Sequence, residues 1–253
     1  MPVLRQKNRP LVVAHRGASG YAPENTMSSF DLAIKMKSDM IELDVHPTLD
    51  GKLVVIHDET VDRTTNGHGS VSKMSWNDLK NLNAAARFPD AEQESIPLFS
   101  DVLSRYADQI PLMVEVKHGS SIYPGVEKLV VKEIIEQNAA DKVELISFDM
   151  QALLNLRKIS NSFDLGYIFI GNMAWYADIC KGVVKALHGA WEFLSRSQVR
   201  HAEHEGFATF AWTVNSETEI RRCISLGVNG IVGNYPDRIR SMLEQKRSLM
   251  IGK

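Results

Sequence analysis

Several absences narrow the field before any motif is read. The chain has two cysteines in 253 residues, Cys180 and Cys223. Two thiols build neither a disulfide framework nor a zinc ribbon, so they read as buried thiols in a reducing compartment. Charge of one sign is absent as well: 29 Lys and Arg against 31 Asp and Glu give a formal net charge of -2. That excludes a general nucleic-acid binder, while leaving room for a local cationic pocket that takes a small anion. No apolar run reaches the length of a membrane-spanning helix. Arg5, Lys7 and Arg9 precede only the short run Leu11–Ala14, too little for a signal-peptide core. The expected location is cytoplasmic, peripheral to a membrane at most. Low-complexity linkers, repeats and composition breaks are missing too.

What is present is ordinary globular composition, 44% hydrophobic and 24% charged. A chain of this size buries about 70–75% of its unfolded surface and needs no metal or disulfide to fold. Strand-like runs alternate with capped helical runs. Candidate strands are Leu11–His15, Met40–Val45, Leu53–His57, Leu112–Val116, Val143–Phe148, Leu165–Ile170, a weak one at Lys185–His188, Phe207–Val214 and Gly230–Val232. Asn25 or Thr26 can cap the first helix, and Ser75 with Asp78 and Ser216 with Glu219 form capping boxes. Alternation of this kind argues for a parallel sheet. A doubly wound open sheet usually carries G-x-G-x-x-G after its first strand, which Arg16-Gly17-Ala18-Ser19-Gly20 lacks. The expectation is therefore an α/β chain forming a (β/α)8 TIM barrel over residues 1–253, with residues 58–96 as a small insertion after the third strand. Nine candidate strands are one too many. Either the Lys185 run or part of the Met40–His57 pair is not a stave.

Ionisable residues gather at strand ends, where barrel enzymes place their chemistry. His15 ends the first strand. Glu42 and Asp44, two apart, share one face near the end of the second. His57 ends the third, and Glu115 and Lys117 close the fourth. Barrel strands are buried on both faces, so solvation does not explain these charges. Glu42, Asp44 and Glu115 form an all-oxygen set suited to a hard divalent cation, Mg²⁺ or Ca²⁺, rather than zinc. His15 and His57 suit general base and general acid. Arg16 and Lys117 suit a phosphate. Together these groups specify phosphodiester cleavage better than any one alone.

The motifs themselves carry a resemblance. His15-Arg16-Gly17, Pro23-Glu24-Asn25-Thr26, Glu42-Leu43-Asp44-Val45 and Val54-Val55-Ile56-His57-Asp58 come in that order. They are followed by Asp62-Arg63-Thr64-Thr65-Asn66-Gly67, Glu115-Val116-Lys117, Ser147-Phe148 and Trp212-Thr213-Val214-Asn215. From about residue 11 to about 240 the chain resembles the glycerophosphodiester phosphodiesterase family. The resemblance implies a barrel like that of the phosphatidylinositol-specific phospholipases C, and metal binding by Glu42, Asp44 and Glu115. It implies an acid–base pair of His15 and His57, phosphate contacts from Arg16 and Lys117, and an insertion at 58–96 that caps the pocket. Phe148 and Trp212 are candidate walls for the glycerol. The implied substrate is a small glycerophosphodiester. Two other readings remain: a lysophospholipid substrate using the apolar segment Ile168–Val184, and a non-catalytic phosphodiester-binding barrel.

The chain departs from the family pattern at Asn229, Gly233 and His188-Gly189, where the family usually has Asp, Thr or Ser, and His-Pro. His46, His68 and His118 read as loop residues, with His46 near the site. His201 and His204 read as a solvated helix face. The basic residues Arg238, Arg240, Lys246 and Arg247 read likewise. Head-group preference and oligomeric state are not legible.

Overall fold

The structure, a computed structural model, describes residues 9–88 and 90–251, the last six as backbone only. Eight parallel strands close on one another: β1 (Leu11–His15), β2 (Met40–Pro47), β4 (Leu112–Val116), β5 (Val143–Ser147), β6 (Asp164–Phe169), β7 (Ala186–Ala190), β8 (Ala208–Trp212) and β9 (Gly230–Gly233). Pairing of β1 with both β2 and β9 shuts the barrel. Runs such as Leu11-Val12-Val13-Ala14 are apolar without alternation because both faces are covered. Inward side chains, among them Met40, Met113, Ile168 and Phe210, fill the barrel interior. A larger apolar layer joins the outer strand faces to the helices.

The helices start and stop where local chemistry dictates. Thr26 caps α1 (Met27–Lys35) in a reciprocal capping box with Ser29, and α1 buries Phe30 and Ala33 against the sheet. Asp149 caps α6 (Met150–Ile159), accepting from the Gln151 amide. Ser216 and Glu219 box α9 (Glu217–Leu226), which Gly227 ends at φ +89°.

The surplus strand is β3 (Leu53–Val55). It runs antiparallel to β2, with Val45 opposite Val55 and Pro47 opposite Leu53. The weak Lys185 run, by contrast, is a true stave as β7. This corrects the placement of His57: it lies two residues beyond a hairpin arm, not at the end of a stave. Residues 58–96 follow that arm with a short helix α2 (Trp76–Leu79) and a small apolar cluster shared with the arm, in which Val61, Val71, Leu79 and Ile96 join Val54 and Ile56. Then come α3 (Phe99–Tyr106) and, after β4, α4 (Gly119–Ile122) and α5 (Val126–Glu136). The remaining helices are α7 (Met173–Ile179), α8 (Arg196–His204) and α10 (Pro236–Ile251). Among the described residues no helix is long and apolar enough to cross a membrane. The side chains of Lys246 and Arg247 lie outside the described residues.

Candidate active site

Register brings the carboxylates together. His15 pairs with Glu42 across β1–β2, and Asp44 pairs with Glu115 across β2–β4. Oxygens of Glu42, Asp44 and Glu115 all lie within 4.8 Å of one another, and all three residues are buried. Lys117 Nζ sits 2.8 Å from Glu115 and 2.9 Å from Asp44. Arg16 Nε is 3.3 Å from Asp44, and the Arg16 backbone amide donates to Glu42 at 2.9 Å. That amide is aimed by a left-handed backbone at Arg16, φ +54°, uncommon for a residue with a side chain. The turn is held by Asn25 N and Ser29 Oγ, both donating to the Arg16 carbonyl. Asn25 Nδ2 also donates to Asp44, at 2.9 Å.

Three carboxylates therefore face two cations, and the imbalance shows in their protonation. Burial, then the adjacent Asp44 charge, pushes Glu42 well above the usual carboxylate range. Burial and Asp44 push Glu115 up to about 7 despite Lys117. Asp44 alone is held far below the usual range: burial opposes this, but Lys117 and Arg16 outweigh it. A buried set that holds protons in place of a third positive charge is a fit for a divalent cation, and oxygen donors suit a hard one.

The two histidines flank this cluster in different surroundings. His15 Nδ1 donates to Asn234 Oδ1 at 2.7 Å, and Asn234 is itself fixed by Asn215. Burial, then Arg16, brings His15 down to about 4. His57 Nδ1 donates to Asp58 Oδ1 at 2.6 Å. Burial, with Lys117 and Arg16 overriding Asp44, lowers His57 as well. Asp58 is gripped by Arg63 Nε and Nη2 at 2.7 and 3.0 Å. The same guanidinium grips Glu24 at 2.8 and 2.7 Å, and Glu24 accepts from Arg16 at 3.0 Å. A continuous chain thus runs from His57 through Asp58, Arg63 and Glu24 to Arg16.

Two cavities meet at this cluster. One, of about 170 Å³, is lined by His15, Arg16, Glu42, Met113, Ile146, Ile168, His188, Trp212, Thr213 and Val232. The other, a groove of about 680 Å³, is lined by Asp58, Glu59, Thr60, Lys117, His118, Ile122, Ser147 and Asp149. His57, Glu115 and Phe148 border both. Phe148 and Trp212 meet edge to face at 5.5 Å on the cavity wall.

All nine sequence-derived site residues therefore lie on one end of the barrel around these two cavities. Sequence reading missed Asn234, Asn25 and the Glu24–Arg63–Asp58 chain, although the last three residues and Asn25 stand inside the motifs that carried the resemblance. His46 is not a loop residue but a buried residue of β2: Nε2 sits 3.0 Å from the His57 carbonyl and Nδ1 3.2 Å from Tyr123. His118 pairs with Glu59 on the groove wall. His68 pairs with Asp62, and His201 with Asp178 on the surface. The departures at 229 and 233 also find physical reasons. Asn229 accepts from Thr209 N and Oγ1 just before β9, at the barrel end opposite the site, as Asp would, and its Nδ2 also donates to Glu203, which Asp could not. A Cβ at Gly233 would run into the Val214 carbonyl.

Comparison with known proteins finds a family and a fold. Residues 15–238 match the glycerophosphoryl diester phosphodiesterase family. Bacillus subtilis YhdW is 38% identical over 237 residues, 90% of this chain and 96% of that one. A glycerophosphodiester phosphodiesterase of Caldanaerobacter subterraneus is 34% identical over 241 residues, 94% of this chain and 99% of that one. An Oleispira antarctica phosphodiesterase, solved with the product sn-glycerol-3-phosphate, matches with a TM-score of 0.84 and 27% identity over 93% of this chain and 97% of that one. A Silicibacter pomeroyi structure, 23% identical with a TM-score of 0.87 over 97% of both chains, shares the fold. The chain belongs to the glycerophosphoryl diester phosphodiesterase family.

Proposed function

We propose that the chain is a hydrolase that splits glycerophosphodiesters into sn-glycerol 3-phosphate and an alcohol. The observation that carries this is the buried cluster of three carboxylates and two cations, bracketed by two histidines at the meeting point of two cavities. The smaller cavity takes the glycerol phosphate and the groove takes the departing alcohol. Residues 58–60 wall the groove, consistent with the 58–96 excursion acting as a cap. Arg16 and Lys117 hold phosphate oxygens. His15, whose Nδ1–H is committed to Asn234, has a basic Nε2 that takes the proton of the glycerol 2-hydroxyl. The 2-oxygen attacks phosphorus, and His57 gives its proton to the departing alcohol oxygen. The cyclic phosphate that results is opened by water with the histidine roles reversed. Glu42, Asp44 and Glu115 would hold a divalent cation, Mg²⁺ or Ca²⁺. Such a cation supplies charge stabilisation at the phosphate and a lower pKa for a nearby hydroxyl.

A second reading has one observation in its favour. Ile170, Trp175 and Ile179 are large, apolar and half exposed within the Ile168–Val184 segment. A lysophospholipid could lay its acyl chain there. The test is release of glycerol 3-phosphate and choline from glycerophosphocholine, with Mg²⁺, with Ca²⁺ and with EDTA, beside choline release from lysophosphatidylcholine. Metal-dependent release from the first substrate is expected. Release from lysophosphatidylcholine alone would favour the second reading. Release from neither by folded protein would leave a phosphodiester-binding barrel.

A further inference from the structure

Two ionisable side chains inside the barrel are unused by the proposed reaction. Glu144 on β5 is fully buried and His188 on β7 is 1% exposed. Around them the barrel interior is apolar, with Ile146, Ile168 and Phe210 among its members. His188 Nε2 lies 3.1 Å from Glu144 Oε1, and the imidazole stacks on Phe210 at 4.6 Å and 13°. The strand between them makes room. At Gly166 on β6 a Cβ would run into His188 Nε2 and come within 2.8 Å of Glu144 Oε1. The His188 carbonyl accepts from Trp212 Nε1 at 2.9 Å, which ties the pair to the cavity wall.

A buried carboxylate–imidazole pair is often no better for stability than apolar side chains of similar volume. Packing alone therefore gives no reason for it. Position does. His188 lines the 170 Å³ cavity that the reading above assigns to glycerol phosphate. Nε2 is committed to Glu144, and Nδ1 has no partner among the described residues. The rest of the deep wall is Met113, Ile146, Ile168 and Val232. Thr213, the other neutral polar residue there, lies beyond the end of β8, toward the mouth. A glycerol moiety has two hydroxyls. One reacts, and the other must find a partner once it is buried.

We propose that His188, held in place by Glu144, hydrogen-bonds the terminal hydroxyl of the glycerol moiety and so determines specificity for an unacylated glycerol. The inference rests on the hydrolase reading. An acyl group on that oxygen would remove its proton and would have to fit against His188, which lines the cavity.

The test compares glycerophosphocholine with the analogue lacking only the terminal hydroxyl, propane-1,2-diol phosphocholine. Wild-type protein is expected to favour glycerophosphocholine by about 10–100-fold in kcat/KM, because the analogue leaves a buried polar group unpaired. The double variant Glu144→Leu with His188→Leu keeps the interior apolar. It should bring the ratio to within about threefold, mainly by raising KM for glycerophosphocholine. Glu144→Gln keeps an acceptor for Nε2 and should preserve the preference. Equal wild-type rates on the two substrates, or a double variant that loses both equally, overturns the inference and leaves the hydrolase reading standing. If the double variant does not fold, the wild-type ratio and Glu144→Gln decide. Release from neither substrate by wild-type protein overturns the hydrolase reading and this inference with it.

Discussion

Replacing Arg63 by Met separates stability from catalysis. Its guanidinium makes four hydrogen bonds, two to Asp58 and two to Glu24. The side chain is 46% exposed, against 29% for Asp58 and 21% for Glu24. Pairs this open to water contribute about 0–1 kcal/mol each. Loss of the fork should therefore lower Tm by no more than about 8 °C in a chain of this length. The effect on rate should be larger. Without Arg63, Asp58 is free to swing, and His57 Nδ1 moves with it. At the other end Glu24 loses its brace, and so holds Arg16 less firmly. A displacement of about 1 Å in a reacting group costs about 100-fold, so kcat/KM on glycerophosphocholine should fall about 10–100-fold. Arg63→Lys keeps the charge but not the fork, and should recover less than half of the loss on a logarithmic scale. Added guanidinium should partly restore the Arg63→Ala variant. The readouts are choline release under steady-state conditions and thermal unfolding of the same samples. An Arg63→Met rate within twofold of wild type would refute the positioning argument. A Tm loss above about 10 °C in step with the rate would reduce Arg63 to a structural brace.

His15→Ala and His57→Ala should each lower kcat by about 10²–10⁴-fold with unfolding curves unchanged; loss of the folded state alongside activity would remove the catalytic assignment. Divalent-cation affinity, read by calorimetry on folded protein, should rise as pH rises from 5 to 7. Glu115 is pushed up to about 7 and Glu42 well above the usual carboxylate range, so protons must leave before these carboxylates can bind, and affinity should change by up to about tenfold per pH unit for each proton released. Glu115→Gln should flatten this dependence, and affinity that falls as pH rises from 5 to 7 would contradict it.

Much of the site was legible because the chemistry needs residue types that a buried strand otherwise avoids. Glu42 and Asp44 stand two apart on a strand with no solvent face, and the same holds for Glu115 and Lys117. His57 was harder to place. Strand patterning reports burial, not the direction of the partner. The connection from His46 to Lys52 leaves no room for the helix a parallel crossover requires, and this marks β3 as a hairpin arm. The partners that tune each group were not legible. Asn234 reaches His15 across 219 positions, and nothing local to either announces the contact. His188 hid for the opposite reason. A strand carrying His188 and Gly189 looks weak by pattern, yet its burial is complete because Glu144 supplies the polar partner and Gly166 the space.

Those distant partners bear directly on the order of proton transfers. Burial lowers both histidines, helped by Arg16 at His15 and by Lys117 and Arg16 at His57, so the direction of the shift does not tell acid from base. Their Nδ1 partners do. Asn234 offers His15 a neutral carbonyl, which fixes the ring and its tautomer and raises the imidazole against burial and Arg16, but brings no negative charge to it. Asp58 offers His57 a carboxylate at 2.6 Å, which favours the imidazolium whenever it forms. Arg63 in turn keeps that carboxylate ionised: its hydrogen bonds, opposed by partial burial, bring Asp58 down to about 2. The group that must start neutral and accept a proton thus faces an amide, and the group that must carry a proton to the departing alcohol faces an anion. This asymmetry supports His15 as the first base and His57 as the first acid, an order that the sequence positions of the two residues could not supply.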